Sequence, residues 1–124
     1  MPSRTAAKIL LLVLAVPVAC GGDDDAGLAA EPVPADPDVV IRAEDMAFDP
    51  DEVDVPADEP VSIVIDNRDD GVNHNIHVKD APEPNRTQLE LGISQQALTV
   101  ALPAGEYEFV CDIHPAMTGT MVAG

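Results

Sequence analysis

Apolar and polar residues alternate with a period of two along most of residues 38–124. This alternation is typical of β-strands that bury one face. Turn-forming Pro, Gly and Asp residues separate the alternating runs, so the strands are short. The pattern predicts eight strands, at 39–43, 53–55, 61–65, 74–78, 89–91, 98–102, 107–111 and 118–123. It indicates an all-β fold, an antiparallel β-sandwich of about eight strands, with residues 92–97 interpreted as a loop.

The phase of the alternation also predicts which way three reactive side chains point. His74 shares a face with the apolar residues of its strand, and Cys111 does the same on another strand. We therefore expect both side chains to point toward the core. His77 lies three positions after His74, so we expect its side chain on the solvent-facing side.

The N-terminal residues have the features of an export signal. Two basic residues precede an apolar stretch at 9–16 that is too short to cross a bilayer as a stop-transfer helix. Small residues then lead to Cys20, an arrangement that resembles a bacterial lipoprotein cleavage box, with Pro17 where Leu is usual. We interpret residues 1–19 as a signal peptide and Cys20 as a lipidated residue. The alternative is ordinary secretion, with Cys20 inside a soluble product.

Composition separates a tether from a folded domain. Residues 20–37 are mostly Gly, Asp, Ala, Glu and Pro, which predicts a disordered acidic tether. Residues 38–124 have the length of one small domain.

The 23 acidic residues outnumber the 6 basic ones, and the net charge is −17. A surface this acidic repels polyanions, which excludes a protein that binds the phosphates of nucleic acid.

Four side chains of types that commonly bind metals indicate a metal site. Cys111, His114 and Met117 lie within seven residues, and His74 lies on a distant strand. Two imidazoles, a thiolate and a thioether are the ligands of a mononuclear blue copper site. The sulfur ligands favour Cu(I) and the imidazoles also bind Cu(II), so the set suits cycling between the two states. Cys111 is the only cysteine of residues 38–124, which excludes a binuclear centre with two bridging thiolates.

Four segments resemble ordered motifs of the cupredoxin family, in its plastocyanin and amicyanin branch. They are Met-Ala-Phe-Asp-Pro at 46–50, Asn-His-Asn-Ile at 73–76, Gly-Glu-Tyr-Glu-Phe-Val-Cys at 105–111 and Met-Thr-Gly-Thr-Met-Val at 117–122. The resemblance spans residues 38–124. It implies a Greek-key β-sandwich with one type 1 copper ion that cycles between Cu(I) and Cu(II), and one-electron transfer as the activity.

The same resemblance implies a role for each candidate ligand. The copper ligands are His74, Cys111, His114 and Met117. Met121 is the weaker candidate for the axial position, because the family has a strand Val there. His77 resembles a second His of amicyanin that does not bind copper, and a surface position is the favoured interpretation.

Two residues next to the ligands are expected to tune the copper. Asn75 matches a family Asn whose backbone N–H bonds the ligand sulfur and whose side chain ties the two ligand loops together. Asp112 departs from the Ser or Thr that is common after the Cys. Its carboxylate still accepts a hydrogen bond, and its charge is expected to favour Cu(II) and lower the reduction potential.

The resemblance also implies a contact surface for redox partners. The family exposes the edge of the second His ligand, here His114, in a hydrophobic patch, and the matching residues are Met46, Val72, Pro115 and Ala116. The acidic remainder of the surface is expected to steer a basic partner such as a c-type cytochrome, and a copper oxidase is a further candidate. A saline habitat is the alternative explanation of the charge.

The leading hypothesis is a monomeric electron carrier, not an enzyme, that is lipid-anchored on the outer side of the cytoplasmic membrane. An alternative is a copper-binding or copper-delivery protein of the same fold. The chain has only four Met and no Met-rich run, which argues against delivery. A metal-free adhesion or structural module is the third hypothesis, and it gives no reason for the Cys, His and Met cluster.

Overall fold

The structure, a computed structural model, describes residues 31–124. This range contains ten β-strands and no helix, so the all-β prediction is confirmed for it. Within it there is consequently no helix long and apolar enough to cross a membrane. The predicted signal peptide at 1–19 and Cys20 lie outside the described residues.

The ten strands form two four-stranded sheets and one small ladder. The strands are β1 Val39–Glu44, β2 Ala47–Asp49, β3 Glu52–Val55, β4 Pro60–Asn67, β5 Asn73–His74, β6 His77–Val78, β7 Glu90–Leu91, β8 Ser94–Ala101, β9 Gly105–Cys111 and β10 His114–Ala123. One sheet has the order β2-β1-β4-β8 and the other β3-β10-β9-β6, while β5 pairs with β7.

The sheets are mixed rather than purely antiparallel. Strand β1 runs parallel to β4, and β3 runs parallel to β10, whereas the remaining ladders are antiparallel. Strands β2 and β3 carry the chain back from the end of β1 and into the other sheet. Strand β4 therefore returns beside β1 in the same direction.

The hydrophobic core lies between the two sheets. Buried and exposed side chains alternate along β1, β3 and the end of β9, as a period of two requires. Phe48 from one sheet packs edge to face against Phe109 from the other, with ring centroids 5.3 Å apart. Every buried side-chain nitrogen or oxygen of the described residues has a hydrogen-bond partner. The two layers form the predicted sandwich.

The predicted strand pattern needs three corrections. Residues 94–97 form the start of β8 rather than a loop, because the whole strand pairs with β4 and the Gln96 amide bonds the backbone of Gln88. The predicted strand at 74–78 is two strands, since His74 pairs with β7 and His77 pairs with β9. Strand β2 was not predicted, and it forms as the second arm of a hairpin with β1.

Part of the predicted tether lies within the described residues. Glu31 forms an isolated β-bridge with Ala97 on β8, and its carboxylate accepts a hydrogen bond from Thr99 N at 2.6 Å. Asp38, just before β1, accepts a hydrogen bond from Ser62 N at 2.9 Å. The chain therefore contacts the sandwich before β1 begins. The domain boundary at residue 38 remains a prediction.

Candidate metal centre

The candidate ligands come from three strands that meet near one end of the sandwich. Cys111 is the last residue of β9 and His114 is the first of β10, so a two-residue turn joins them. His74 is the last residue of β5. His74 is 1% exposed and Cys111 is 2% exposed, so their predicted inward orientation is confirmed. His114 is half-buried.

Three donor atoms of these residues face one another. The Nδ1 atom of His74 lies 3.1 Å from Nδ1 of His114 and 3.9 Å from Sγ of Cys111. The third side, from His114 Nδ1 to Sγ, is 3.4 Å. A triangle with these sides has a circumradius of about 2.0 Å, close to the metal–nitrogen and metal–sulfur bond lengths of about 2.0–2.3 Å. The three residues therefore fit one metal ion, and their donors are the trigonal set of a type 1 copper site.

The two methionines that compete for the axial position occupy different parts of β10. Met117 is 1% exposed and lies where the register with β9 shifts, between His114 and Thr118. Met121 is fully buried and pairs with Tyr107 in the regular part of the ladder. Met117 thus belongs to the irregular segment that carries His114, and it remains our choice for the fourth ligand.

The side chain of Asn75 joins the two segments that carry the candidate ligands. Its Oδ1 accepts a hydrogen bond from Asp112 N at 2.9 Å. Its Nδ2 donates to Oδ2 of Asp112 at 2.8 Å and to the carbonyl oxygen of Thr87 at 3.1 Å. Asn75 and Thr87 are both buried. The amide therefore links the chain after His74 to the turn after Cys111.

Asp112 places a carboxylate directly after the candidate thiolate ligand. Its Oδ1 lies 2.8 Å from Nδ1 of His77, and its Oδ2 lies 3.9 Å from the Arg86 guanidinium. Partial burial alone would raise the pKa of Asp112. The hydrogen bonds with His77 and Asn75 and the nearby charges outweigh burial, so the pKa is lowered overall. The carboxylate is therefore negatively charged at neutral pH.

His77 contacts Asp112 and is not a member of the donor cluster. Its side chain is 25% exposed, so it is partly solvent-facing, as the strand phase predicted. The cluster of His, Cys, Asp and Glu donors in the described residues contains His74, Cys111 and His114. The sequence interpretation of His77 as a surface residue rather than a ligand agrees with this arrangement.

Asp69 contacts the far side of the His74 ring. Its Oδ2 lies 2.7 Å from Nε2 of His74, and its two oxygens accept hydrogen bonds from the backbone N–H groups of Asp45 and Met46. Burial alone would raise the pKa of Asp69, but these hydrogen bonds outweigh it and lower the pKa overall. Because Nε2 faces the carboxylate, Nδ1 faces the other two donors.

Three residues around the centre were not predicted from the sequence to contribute to it. Asp69 lies in a segment that the sequence indicates only to be a turn. The sequence feature that could have pointed to Asp69 is its position five residues before His74. Thr87 gives no signal in the sequence, yet it is fully buried and its Oγ1 accepts a hydrogen bond from Ile76 N. Ile113 is an apolar residue in the two-residue turn between Cys111 and His114, and it is 48% exposed.

The residues of the expected contact patch are largely accessible. Met46 is 45% exposed, Pro115 and Ala116 are exposed, and Val72 is half-buried. The exposed Ile113 lies next to His114 in sequence and adds a further apolar side chain.

Comparison with known proteins places the chain in a family. The family model of the cupredoxin-like domain matches residues 9–123, which is most of the chain. The chain therefore belongs to the cupredoxin-like family. A search of curated proteins finds no match.

Solved structures share the fold. Dithionite-reduced auracyanin from Roseiflexus castenholzii is 20% identical, with a TM-score of 0.61 over 69% of this chain and 95% of its own. Auracyanin A from Chloroflexus aurantiacus, a "blue" copper protein, is 24% identical, with a TM-score of 0.57 over 68% of this chain and 96% of its own. Amicyanin from Paracoccus versutus is 28% identical, with a TM-score of 0.54 over 78% of this chain and 90% of its own. These likenesses confirm the predicted cupredoxin-like β-sandwich.

Proposed function

We propose that this protein carries single electrons by means of one copper ion bound by His74, Cys111, His114 and Met117. The observation that carries the proposal is the triangle of two Nδ1 atoms and one Sγ atom, whose sides are 3.1, 3.4 and 3.9 Å. Copper bound there supplies a reversible one-electron couple, because thiolate and thioether favour Cu(I) while imidazole also binds Cu(II). Transfer of an electron transforms no substrate, so we assign no enzymatic activity.

The residues around the donors favour a site of fixed shape. His74, Cys111 and Met117 are each at most 2% exposed, so water is excluded from most of the centre. The Asn75 amide joins the two ligand-bearing segments through two hydrogen bonds with Asp112, and a third hydrogen bond holds it to Thr87 O. A centre that keeps its shape in both oxidation states needs little rearrangement when an electron arrives. The same burial disfavours exchange of the metal with other molecules.

Retention of the metal during redox cycling separates electron transfer from copper delivery. The purified protein is loaded with Cu(II) and cycled by voltammetry in the presence of a Cu(I) chelator. An electron carrier gives a reversible signal and keeps its copper through repeated cycles. Loss of copper to the chelator on the first reduction would contradict electron transfer and support delivery. Met121→Leu is the matched control, because it removes a buried thioether outside the proposed ligand set and should behave as the wild type.

We further propose that electrons enter and leave through His114. Its ring is half-buried, and its chain neighbours Ile113 and Pro115 are exposed apolar residues. The net charge of −17 favours a basic partner such as a c-type cytochrome, whose approach it would accelerate. Ala116→Lys should slow electron transfer to cytochrome c, because it places a charge in the apolar patch and repels a basic partner, whereas Ala101→Lys, at the far end of β8, should not. Equal rates in the two variants would contradict this patch, and a rate independent of salt would contradict charge steering.

We also propose export and a lipid anchor at Cys20, on the outer side of the cytoplasmic membrane. The support is the sequence of the first 20 residues, with basic, apolar and small-residue segments in the order of a lipoprotein signal. Cys20→Ser should move the protein out of the detergent-extracted membrane fraction and leave copper binding unchanged. An unchanged membrane fraction would contradict the anchor.

A further inference from the structure

A carboxylate contacts the more deeply buried of the two candidate imidazole ligands. The Oδ2 atom of Asp69 lies 2.7 Å from Nε2 of His74, and the two side chains are 13% and 0% exposed. A carboxylate only accepts hydrogen bonds, so Nε2 must carry the proton of this bond. In the neutral form of the ring, Nδ1 then carries the lone pair, on the side where Cys111 and His114 lie.

The carboxylate is itself fixed from two directions. Asp45 and Met46 connect β1 to β2 with φ angles of 54° and 59°, a left-handed conformation that is costly for a residue such as Met. Their N–H groups donate to Asp69 at 2.8 and 3.1 Å. The N–H of Asp69 donates to Oδ1 of the buried Asn67 at 3.0 Å. Asp69 therefore joins the first hairpin to His74 and has little freedom to turn away.

The charge of Asp69 is not neutralised by the neighbouring cation. Arg68 bonds Asp66 at 2.7 Å. The described contacts of the Asp69 carboxylate are the His74 ring and two backbone N–H groups. Its negative charge consequently acts on the imidazole, in a setting with little access for screening water.

We propose that Asp69 is a positioning residue that fixes the tautomer and orientation of His74 and lowers the reduction potential of the copper centre. A carboxylate that accepts the far N–H of a metal-bound imidazole fixes the ring and makes it a stronger donor. A nearby negative charge also favours the more highly charged Cu(II) over Cu(I). The effect on the potential rests on the proposed function, because it requires copper between the ligands.

Asp69→Asn and Asp70→Asn form a matched pair. Each removes one negative charge, but Asp70 is exposed and its described contact is a backbone bridge to Gly92. In Asp69→Asn the affinity for Cu(II) relative to Cu(I) should fall by about tenfold, which raises the potential by about 59 mV for one electron. Asp70→Asn should change this ratio by less than about twofold. Equal shifts in the two variants would overturn the role of Asp69 in the potential.

A measurement on the metal-free wild type tests the positioning role without copper. In a ¹⁵N-labelled protein, His74 should carry a proton on Nε2 that exchanges slowly with solvent, and Asp69→Asn should speed its exchange while Asp70→Asn should not. A His74 ring without a proton on Nε2 would overturn the proposal, even if Asp69→Asn fails to fold. A wild type that does not bind copper would overturn the proposed function instead, and the metal-free result would distinguish the two failures.

Discussion

Replacing Asn75 by Ala removes the side chain that joins the segment after His74 to the turn after Cys111. Three hydrogen bonds are lost, with lengths of 2.8, 2.9 and 3.1 Å. The buried carbonyl of Thr87 loses the amide as a donor, and Asp112 N loses its acceptor. At about 1 kcal/mol for each neutral bond and somewhat more for the carboxylate, the free energy of unfolding should fall by about 3–4 kcal/mol. Small domains have about 5–15 kcal/mol in total, so this is a large fraction.

The assay is guanidinium unfolding of the metal-free protein, followed by circular dichroism. Asn85→Ala is the matched control, because the Asn85 amide makes one hydrogen bond, to Ala81 O at 3.1 Å. Its loss should cost about 1 kcal/mol. In the copper-loaded protein, Asn75→Ala should also weaken or shift the visible absorption, whereas Asn85→Ala should leave it unchanged. If both variants lost the same free energy and kept the same spectrum, Asn75 would not join the ligand segments.

Three further variants test other parts of the site and core. Met117→Leu should keep the colour and raise the reduction potential, since loss of the fourth donor destabilises Cu(II) more than Cu(I), which tolerates three ligands, and the change in volume is small; an unchanged potential would rule out Met117 as a ligand. Gly119→Ala should lower the free energy of unfolding by about 3 kcal/mol in a thermal melt, because the added methyl would overlap the buried ring of Phe109; a neutral result would contradict this packing. Asp112→Asn removes a charge next to Cys111 and should raise the potential, and a lower potential would reverse the electrostatic argument.

The alternation of the chain predicts the sandwich well because burial on one face is a local property of each strand. It predicts β8 poorly. Residues 94–97 include Gln95 and Gln96, and nothing in their own sequence favours a strand. Their side chains bond Asp66 and the backbone of Gln88, so partners from other parts of the chain determine the conformation. The split of the predicted strand at 74–78 has the same origin, because its two halves pair with different strands.

The site likewise has some features that are local in the sequence and others that depend on long-range contacts. The Cys-x2-His-x2-Met spacing is local, so the sequence alone brings Cys111 and His114 together and marks Met117. The contact of Asp69 with His74 depends on a turn between two other strands, and the sequence shows only turn residues at that place. Thr87 is similarly defined by contacts across the fold. Residues that position a candidate ligand through long-range contacts therefore need the structure, whereas the candidate ligands can be proposed from sequence motifs.

The absorption spectrum of the copper-loaded protein tests the central claim most directly. We predict that the wild type binds one copper ion per chain and that Cu(II) gives an intense visible thiolate-to-copper band. Cys111→Ser should lose this band completely, while Cys20→Ser, which changes the other cysteine of the chain, should keep it. A Cys111→Ser protein that is still intensely coloured, or a wild type that binds Cu(II) without the band, would contradict the type 1 copper centre.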